Sequence, residues 1–311
     1  MLTIFRNHDH GLQVQPQVSD GCWVHVVEPT REDMARLESL GVPPDFLSHI
    51  QDPDERPRTE RDEDTGALLI VLRFPYAQGA TADIPYSTVP LSLIVTDTLL
   101  VTVSPQSTGF LQKFAAGHVR GLSTAKKTRF VLRLLQHIAN AYQEHLRQIN
   151  AAVDILEDRL QRSMQNREVL GLLKYQKSLV YFTTALKSNE LVLERLQKGQ
   201  LLQTYPEDQE LLDDVLIEVR QAIEMTGIAN DILSQMMDAF ASIISNNLNV
   251  VMKFLASVTI VLSVPTLIVS VYGMNVRLPG ADQPLAFLWI ALAALLVSAA
   301  VVFVFWRKDW L

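Results

Sequence analysis

Hydrophobic and polar positions divide the chain into three stretches. Up to about residue 122, short runs rich in Val, Ile and Leu at 22–27, 67–75, 88–95 and 99–104 predict strands. Thr30, followed by Arg31, Glu32 and Asp33, predicts an N-cap with acids in the first turn of a helix reaching Leu40. Gly41, Pro43 and Pro44 stop that helix, and 44–50 starts another. Segment 52–64, crowded with charge and holding two prolines, reads as surface. From Ser123 the period changes. Leu135, Ile138, Tyr142, Ile149, Val153, Leu156 and Leu160 recur at steps of three, four or seven, a coiled-coil period. A second helical run covers 167–198 and is closed by Gly199. A third opens at Tyr205-Pro206 and meets no proline until Pro265, which predicts one helix running on into the apolar tail.

That tail holds two uncharged runs, 254–272 and 285–305. Each is long enough to cross about 30 Å of hydrocarbon as a helix. The connector between them carries Gly273, Pro279, Gly280 and Pro284, so the pair reads as a helical hairpin with a short exposed loop. Two buried core helices would show the same runs, but nothing follows them in the sequence that could cover both. Lys253 precedes the first run, and Arg307 and Lys308 follow the second, which places both ends on the cytoplasmic side of a cell membrane. Arg277 in the far loop counts the other way. The fold class expected is an α+β cytoplasmic domain, then a long α-helical stalk and two C-terminal transmembrane helices. The expected boundaries are 1–122 for the α/β domain, 123–253 for the stalk, and 254–272 and 285–306 for the spans. Residues 273–284 form the external loop and 307–311 a basic cytoplasmic end.

The first span carries a second pattern. Asn249, Met252, Ala256, Thr259, Ser263, Thr266, Ser270 and Gly273 follow one another at steps of four and three, so they share one stripe. Every member is small, polar or a thioether, while Val258, Ile260, Val261, Leu262, Leu267 and Ile268 lie elsewhere. Small residues let membrane helices approach closely, and packing accounts for the Ala, Ser and Gly positions. A wall facing water accounts better for the asparagine at the mouth and the two threonines deep in the span. Both readings stand at this point. Two spans cannot enclose a channel, so a water-facing stripe requires several copies of the chain in a ring. The second span, with Phe287, Trp289, Phe303, Phe305 and Trp306, reads as the outer helix facing lipid.

Composition narrows the function classes. The chain has 27 Lys and Arg against 34 Asp and Glu, a formal net charge of −7. After Lys253 the charged residues are Arg277, Asp282, Arg307, Lys308 and Asp309 alone, so nearly all charge lies in the front part. A wholly soluble enzyme and a disordered chain are excluded. The acidic balance argues against nucleic acid and suits cations or basic partners. Cys22 is the single cysteine, so no intrachain disulfide forms. His8, His10, His25, His49, His118, His137 and His145 show no metal-ligand spacing, and His137 and His145 read as surface residues. There is no P-loop, GxGxxG or nucleophile elbow, so neither catalysis nor ATP-driven transport is indicated, and no cofactor is expected. Glu207, Asp208, Glu210, Asp213, Asp214 and Glu218 crowd the start of the third helix. Carboxylates there could hold a weak Mg²⁺ or Ca²⁺ between subunits, while a solvated face at a helix N-terminus explains most of them.

The first span ends in Tyr272-Gly273-Met274-Asn275, and the chain ends in Arg307-Lys308-Asp309-Trp310-Leu311. The YGMN resembles the signature of the CorA family of magnesium transporters, and the basic-Trp-Leu ending is similar to that family's. The resemblance covers essentially the whole chain. It implies a homopentamer with a funnel-shaped cytoplasmic body and a central pore lined by the first span. It carries over Gly273, Met274 and Asn275 as the selectivity entrance, with Asn275 touching the ion. Asn249, Met252, Leu255, Thr266 and Asp238 correspond by distance from the motif to pore or gate positions. Asp214 corresponds to an inter-subunit regulatory acid, with Asp213 next to it. Two departures stand out. The family often has an acid soon after the motif, where this chain has Val276-Arg277-Leu278-Pro279 and then Asp282. Ser263 stands where the family can have methionine, which shortens the hydrophobic constriction. The function implied is Mg²⁺ influx, with Co²⁺ or Ni²⁺ as further cargo, closed by cytoplasmic Mg²⁺. The alternatives are a ZntB-type zinc transporter, which the lack of pore histidine and cysteine does not support, and a membrane-anchored helical scaffold.

Overall fold

The computed structural model describes residues 1–8, 11–115, 122–163, 166–199, 201–202, 205–274, 280, 285–308 and 310. It divides into two compact units, Met1–Gln235 and Met236–Leu311.

The first unit is built on a seven-stranded sheet in the order β2-β1-β3-β7-β6-β5-β4. The strands are β1 (Leu2–His8), β2 (Gly11–Gln15), β3 (Trp23–Val27), β4 (Arg58–Arg61), β5 (Leu68–Ala77), β6 (Tyr86–Val95) and β7 (Leu100–Ser104). β3 and β7 run parallel, and every other pair is antiparallel. β5, β6 and β7 are nearly continuous apolar runs because both of their faces are covered. On one face, Val24, Val26, Leu69, Val71, Val101 and Val103 pack with Leu37 and Phe46 of helices α1 (Arg31–Ser39) and α2 (Pro44–His49). The expected Thr30 cap is present as a full capping box with Asp33. On the other face Trp23, stacked on Phe5 and packed at a tilt against Phe130, donates its indole N–H to Thr102. A short helix α3 (Phe110–Ala115) adds Phe114 to that cluster.

Helices α4 (Lys127–Ser163) and α5 (Asn166–Gly199) lie against β5 and β6. The heptad-like residues Leu135, Ile138, Tyr142, Ile149, Val153 and Leu160 of α4 are buried. That seam packs against both the sheet and α5. β5 carries Pro75 and its partner β6 carries Pro90, an unusual place for residues without an N–H. Pro90 sits opposite Arg73, and the Arg73 N–H points away from β6, where β4 has already ended. Asn189 of α5 fills the gap: its amide oxygen accepts from Arg73 N–H at 2.9 Å and its amide nitrogen donates to the Arg73 carbonyl at 2.7 Å. One side chain thus acts as a strand partner. Tyr142 of α4 donates to the same carbonyl at 3.0 Å.

Helix α6 (Pro206–Tyr272) is 67 residues long and unbroken, as the absence of proline before Pro265 predicts. The described part of the second unit is its last section and α7 (Ala286–Arg307). In each apolar window only 6% of residues are buried, so these are not core helices of a soluble fold. Their length and apolar surface fit two membrane spans.

Candidate functional site

The stripe on α6 is exposed along its described length. Asn249, Ala256, Thr259, Ser263, Thr266 and Ser270 are all solvent-facing in the single chain, as are Met252 and Leu255. Among the described residues beyond Phe240, only Ser257 and Ala294 are buried, and neither belongs to the stripe. Close packing within one chain therefore does not use it.

The hydroxyls of the stripe have a defined orientation. Thr259 donates to the Leu255 carbonyl at 2.8 Å, Ser263 to Thr259 at 2.7 Å and Thr266 to Leu262 at 2.9 Å. Each proton is spent on the backbone one turn earlier, so the oxygen lone pairs remain for an outside donor or cation. Such oxygens suit the water shell of a hard ion. Ser257 and Ser298 bond back in the same way, so the habit belongs to hydroxyls on apolar helices generally. The stripe hydroxyls are exposed, whereas Ser257 is buried and Ser298 half-buried; what sets the stripe apart from the rest of the helix surface is its polarity.

At the far end of the span, Gly273 N–H bonds to the Val269 and Ser270 carbonyls, and Met274 N–H to Val271. A side chain added at Gly273 would meet those two carbonyl oxygens at 3.5 Å, an ordinary contact, so no close approach within this chain demands glycine there. Met274 is exposed. Asn275, Val276–Pro279 and Asp282 lie outside the described residues.

The acidic start of α6 separates into parts with different surroundings. Asp208 is buried: it pairs with Arg129 of α4 at 2.8 Å and accepts from the Tyr205 N–H, bracing the first turn. Glu207 pairs with the same guanidinium. Both join the α4–α6 contact, Asp208 buried within it and Glu207 from an exposed position. Asp213 accepts from Gln197 of α5 at 2.6 Å and stays exposed, as do Asp214 and Glu210. Glu218 is half-buried, and burial holds its carboxyl above the usual carboxylate range, with the Asp214 charge adding to that and the Gln136 hydrogen bond opposing it. One Glu218 oxygen has no partner. Asp238 is exposed one turn before Ser242, which bonds to its carbonyl. Among the described residues no three His, Cys, Asp or Glu side chains gather into a metal-binding group, so Asp213 and Asp214 form no complete site within one chain.

His137 and His145, expected from spacing to be surface residues, are half-buried and make ring contacts. His137 stacks on Phe110 and His145 packs against Tyr86. His25 is buried, bonded to Thr102 at 2.9 Å, and burial lowers its pKa to about 4.

Known proteins share this plan. The chain is 29% identical, over its whole length and the whole of the relative, to the cobalt/magnesium transport protein CorA of Methanocaldococcus jannaschii. The solved structure of the CorA magnesium transporter from that organism superposes with a TM-score of 0.86 at 25% identity, covering 100% of this chain and 99% of that one. The cytoplasmic domain of ZntB from Vibrio parahaemolyticus shares the fold of 78% of the chain, with 98% of its own length matched, at a TM-score of 0.62 and 11% identity. The family described as CorA-like Mg²⁺ transporter protein matches residues 19–308. With that match spanning nearly the whole chain, the protein belongs to the CorA-like Mg²⁺ transporter family of membrane-embedded divalent-cation transporters, which are not enzymes.

Proposed function

We propose that this chain forms a homopentameric channel for Mg²⁺ influx, with Co²⁺ and Ni²⁺ as further cargo. The observation that carries the reading is the exposed polar stripe on an otherwise apolar helix, ending at Gly273-Met274-Asn275. A ring of such stripes from several copies makes a wet wall in a lipid surround, which one hairpin cannot do alone. Asn249, Met252, Leu255, Ala256, Thr259, Ser263, Thr266 and Ser270 line it in this reading, with Asp238 below as a gate residue. Mg²⁺ sheds water reluctantly, and neutral oxygens at Asn275 and along the stripe hold the hydrated ion without the tight grip of carboxylates. Met274, a soft thioether, shapes the turn after the span rather than binding ion. Residues 1–122 and 123–253 form the cytoplasmic sensor and stalk, and Lys253, Arg307 and Lys308 keep both termini in the cytoplasm. Asp214 and Asp213 meet a neighbouring copy through bound Mg²⁺, which holds the channel closed until cytoplasmic Mg²⁺ falls.

Uptake into proteoliposomes with Mg²⁺, Co²⁺, Ni²⁺ and Zn²⁺ tests the reading. Wild type moves Mg²⁺ into the vesicles, and Asn275→Ala nearly abolishes that flux while the oligomer stays assembled. Flux of Zn²⁺ alone refutes the cargo in favour of a zinc transporter. Absence of all divalent flux from a folded oligomer leaves a membrane-anchored scaffold.

A further inference from the structure

The end of α7 is tied to the flank of the first span by a contact that the transport reading above does not use. Lys308 caps α7, and its N–H bonds to the Val304 and Phe305 carbonyls. Trp310 N–H then reaches back to the Phe305 carbonyl at 3.0 Å. Its indole lies flat on the Phe305 ring, with centroids 5.5 Å apart and planes 15° apart. The folded-back tail presents the Trp310 carbonyl to α6. There the Ser257 hydroxyl lies 3.4 Å away and also bonds to the Lys253 carbonyl at 2.8 Å. Ser257 is 0% exposed on a helix whose neighbours are almost all exposed. It follows Ala256 by one residue, about 100° around the helix, so it stands off the stripe but level with Met252, Leu255, Ala256 and Thr259.

We infer that Trp310 is a positioning residue for the first span: stacked on Phe305, it holds α6 at Ser257 and so sets the rotation of the stripe at Met252 and Ala256. This inference rests on the pore-wall reading of the stripe. The physical argument is leverage. A buried hydroxyl at one level fixes the azimuth of that helical turn, and a turn carrying the narrow part of a pore transmits small rotations directly to the ion path. Serine matters because its small side chain admits the tail; its proton lies mainly on the Lys253 carbonyl at 2.8 Å, and the 3.4 Å approach to the Trp310 carbonyl is the weaker, shared contact.

The test uses the full chain in proteoliposomes, with Trp310→Ala, Trp310→Phe, Ser257→Ala and the Trp310→Ala/Ser257→Ala pair. Two quantities are read: the Mg²⁺ concentration that halves flux, and the alkylation rate of a cysteine replacing Met252 in each background. Trp310→Ala is expected to shift both by about threefold to tenfold, the scale of the ring contact it removes. Trp310→Phe, which keeps a ring on Phe305, stays within about twofold of wild type, and the pair is no worse than the worse single. Wild-type values for Trp310→Ala in both readings overturn the inference, as does strict additivity of the pair or equal damage by Phe and Ala. If Trp310→Ala does not assemble, Ser257→Ala decides, since it leaves the turn and the stack intact: a shift supports the inference and none overturns it. If wild type moves no Mg²⁺, the transport reading fails by itself, and the alkylation rates still show whether the tail sets the exposure of position 252.

Discussion

Asn189 offers the sharpest test of how the first unit holds together. Its amide is 2% exposed and makes both bonds to the Arg73 backbone, at 2.9 and 2.7 Å. Asn189→Ala leaves the Arg73 N–H with no acceptor, since β4 has ended and Pro90 stands opposite. Stranding one buried donor costs about 1–3 kcal/mol. The Arg73 carbonyl keeps the Tyr142 hydroxyl, so its loss is smaller, and the truncated amide leaves a modest void. The total expected is about 2–4 kcal/mol, which lowers the first unfolding midpoint by roughly 5–10 °C. Tyr142→Phe makes the opposite case. It removes one donor from a carbonyl that Asn189 still satisfies, so it costs about 0.5–1 kcal/mol.

Asn189→Asp sharpens the comparison. An ionised carboxylate accepts from the Arg73 N–H but faces the Arg73 carbonyl without a proton to give. Protonated, it restores both bonds, so the cost of this variant shrinks as pH falls. Thermal unfolding of the detergent-solubilised protein, followed by tryptophan fluorescence, measures all three. Equal losses for Asn189→Ala and Tyr142→Phe, or an Asn189→Asp cost that does not change with pH, refute the idea that Asn189 replaces a strand.

Three further outcomes are expected. A cysteine replacing Thr266 reacts with a water-soluble thiol reagent in open channels while one replacing Ile268 does not, and equal protection of both makes the stripe a packing surface. Asp213→Asn with Asp214→Asn raises the Mg²⁺ concentration needed both to shut the current and to protect the cytoplasmic helices from protease; unchanged concentrations place the sensor elsewhere. For His25, the folded pKa of about 4 lies below the unfolded value of about 6.5. The stability tied to neutral His25 is therefore complete above about pH 6.5 and is lost as pH falls toward 4, by about 3 kcal/mol at most. His25→Asn should flatten that part of the pH profile, and an unchanged slope between pH 6.5 and 4 assigns the acid sensitivity to other groups.

The fold was legible wherever burial is two-sided or periodic. β5, β6 and β7 announce themselves as apolar runs, and α6 by its lack of proline. β1, β2 and β4 escaped. β4 reads Arg-Thr-Glu-Arg inside a charged segment, and what makes it a strand is pairing with the apolar β5 together with the Arg61 bond to the Leu201 carbonyl. An edge strand with a charged face carries little hydrophobic signal, and that same charge discourages further strands from adding. The heptad in α4 is ambiguous for a related reason: a helix on a sheet and a helix packed on a helix both need one apolar seam, and here the seam serves the sheet and α5 together. Ser178 and Asn189 held a signal that went unread. They fall at helical spacing among Leu179, Phe182, Ala185, Leu186 and Val192, all buried, so each is a polar group placed in a core seam and needing a backbone partner. Ser178 finds the Tyr86 N–H and Asn189 finds Arg73.

The site divides along a different line. A stripe is a property of one helix, so Asn249 to Gly273 could be assembled from spacing alone, and exposure in the folded chain is consistent with it. The acids at the start of α6 cannot be sorted that way, because their roles depend on what each one touches. Asp208 and Asp213 are five residues apart and equally acidic, yet Arg129 draws one inward while the other stays at the surface beside Gln197. Among the described residues Asp214 has no such neighbour, and its charge adds to the rise that burial gives the Glu218 carboxyl. A pair of carboxylates left with a repulsion and an unmatched oxygen is a place where added positive charge lowers the energy. That makes Asp214, rather than the cluster as a whole, the residue on which the regulatory test should turn: Asp214→Asn alone should account for most of the double variant's shift, and if Asp213→Asn does so instead, the repulsion at Glu218 has nothing to do with closure.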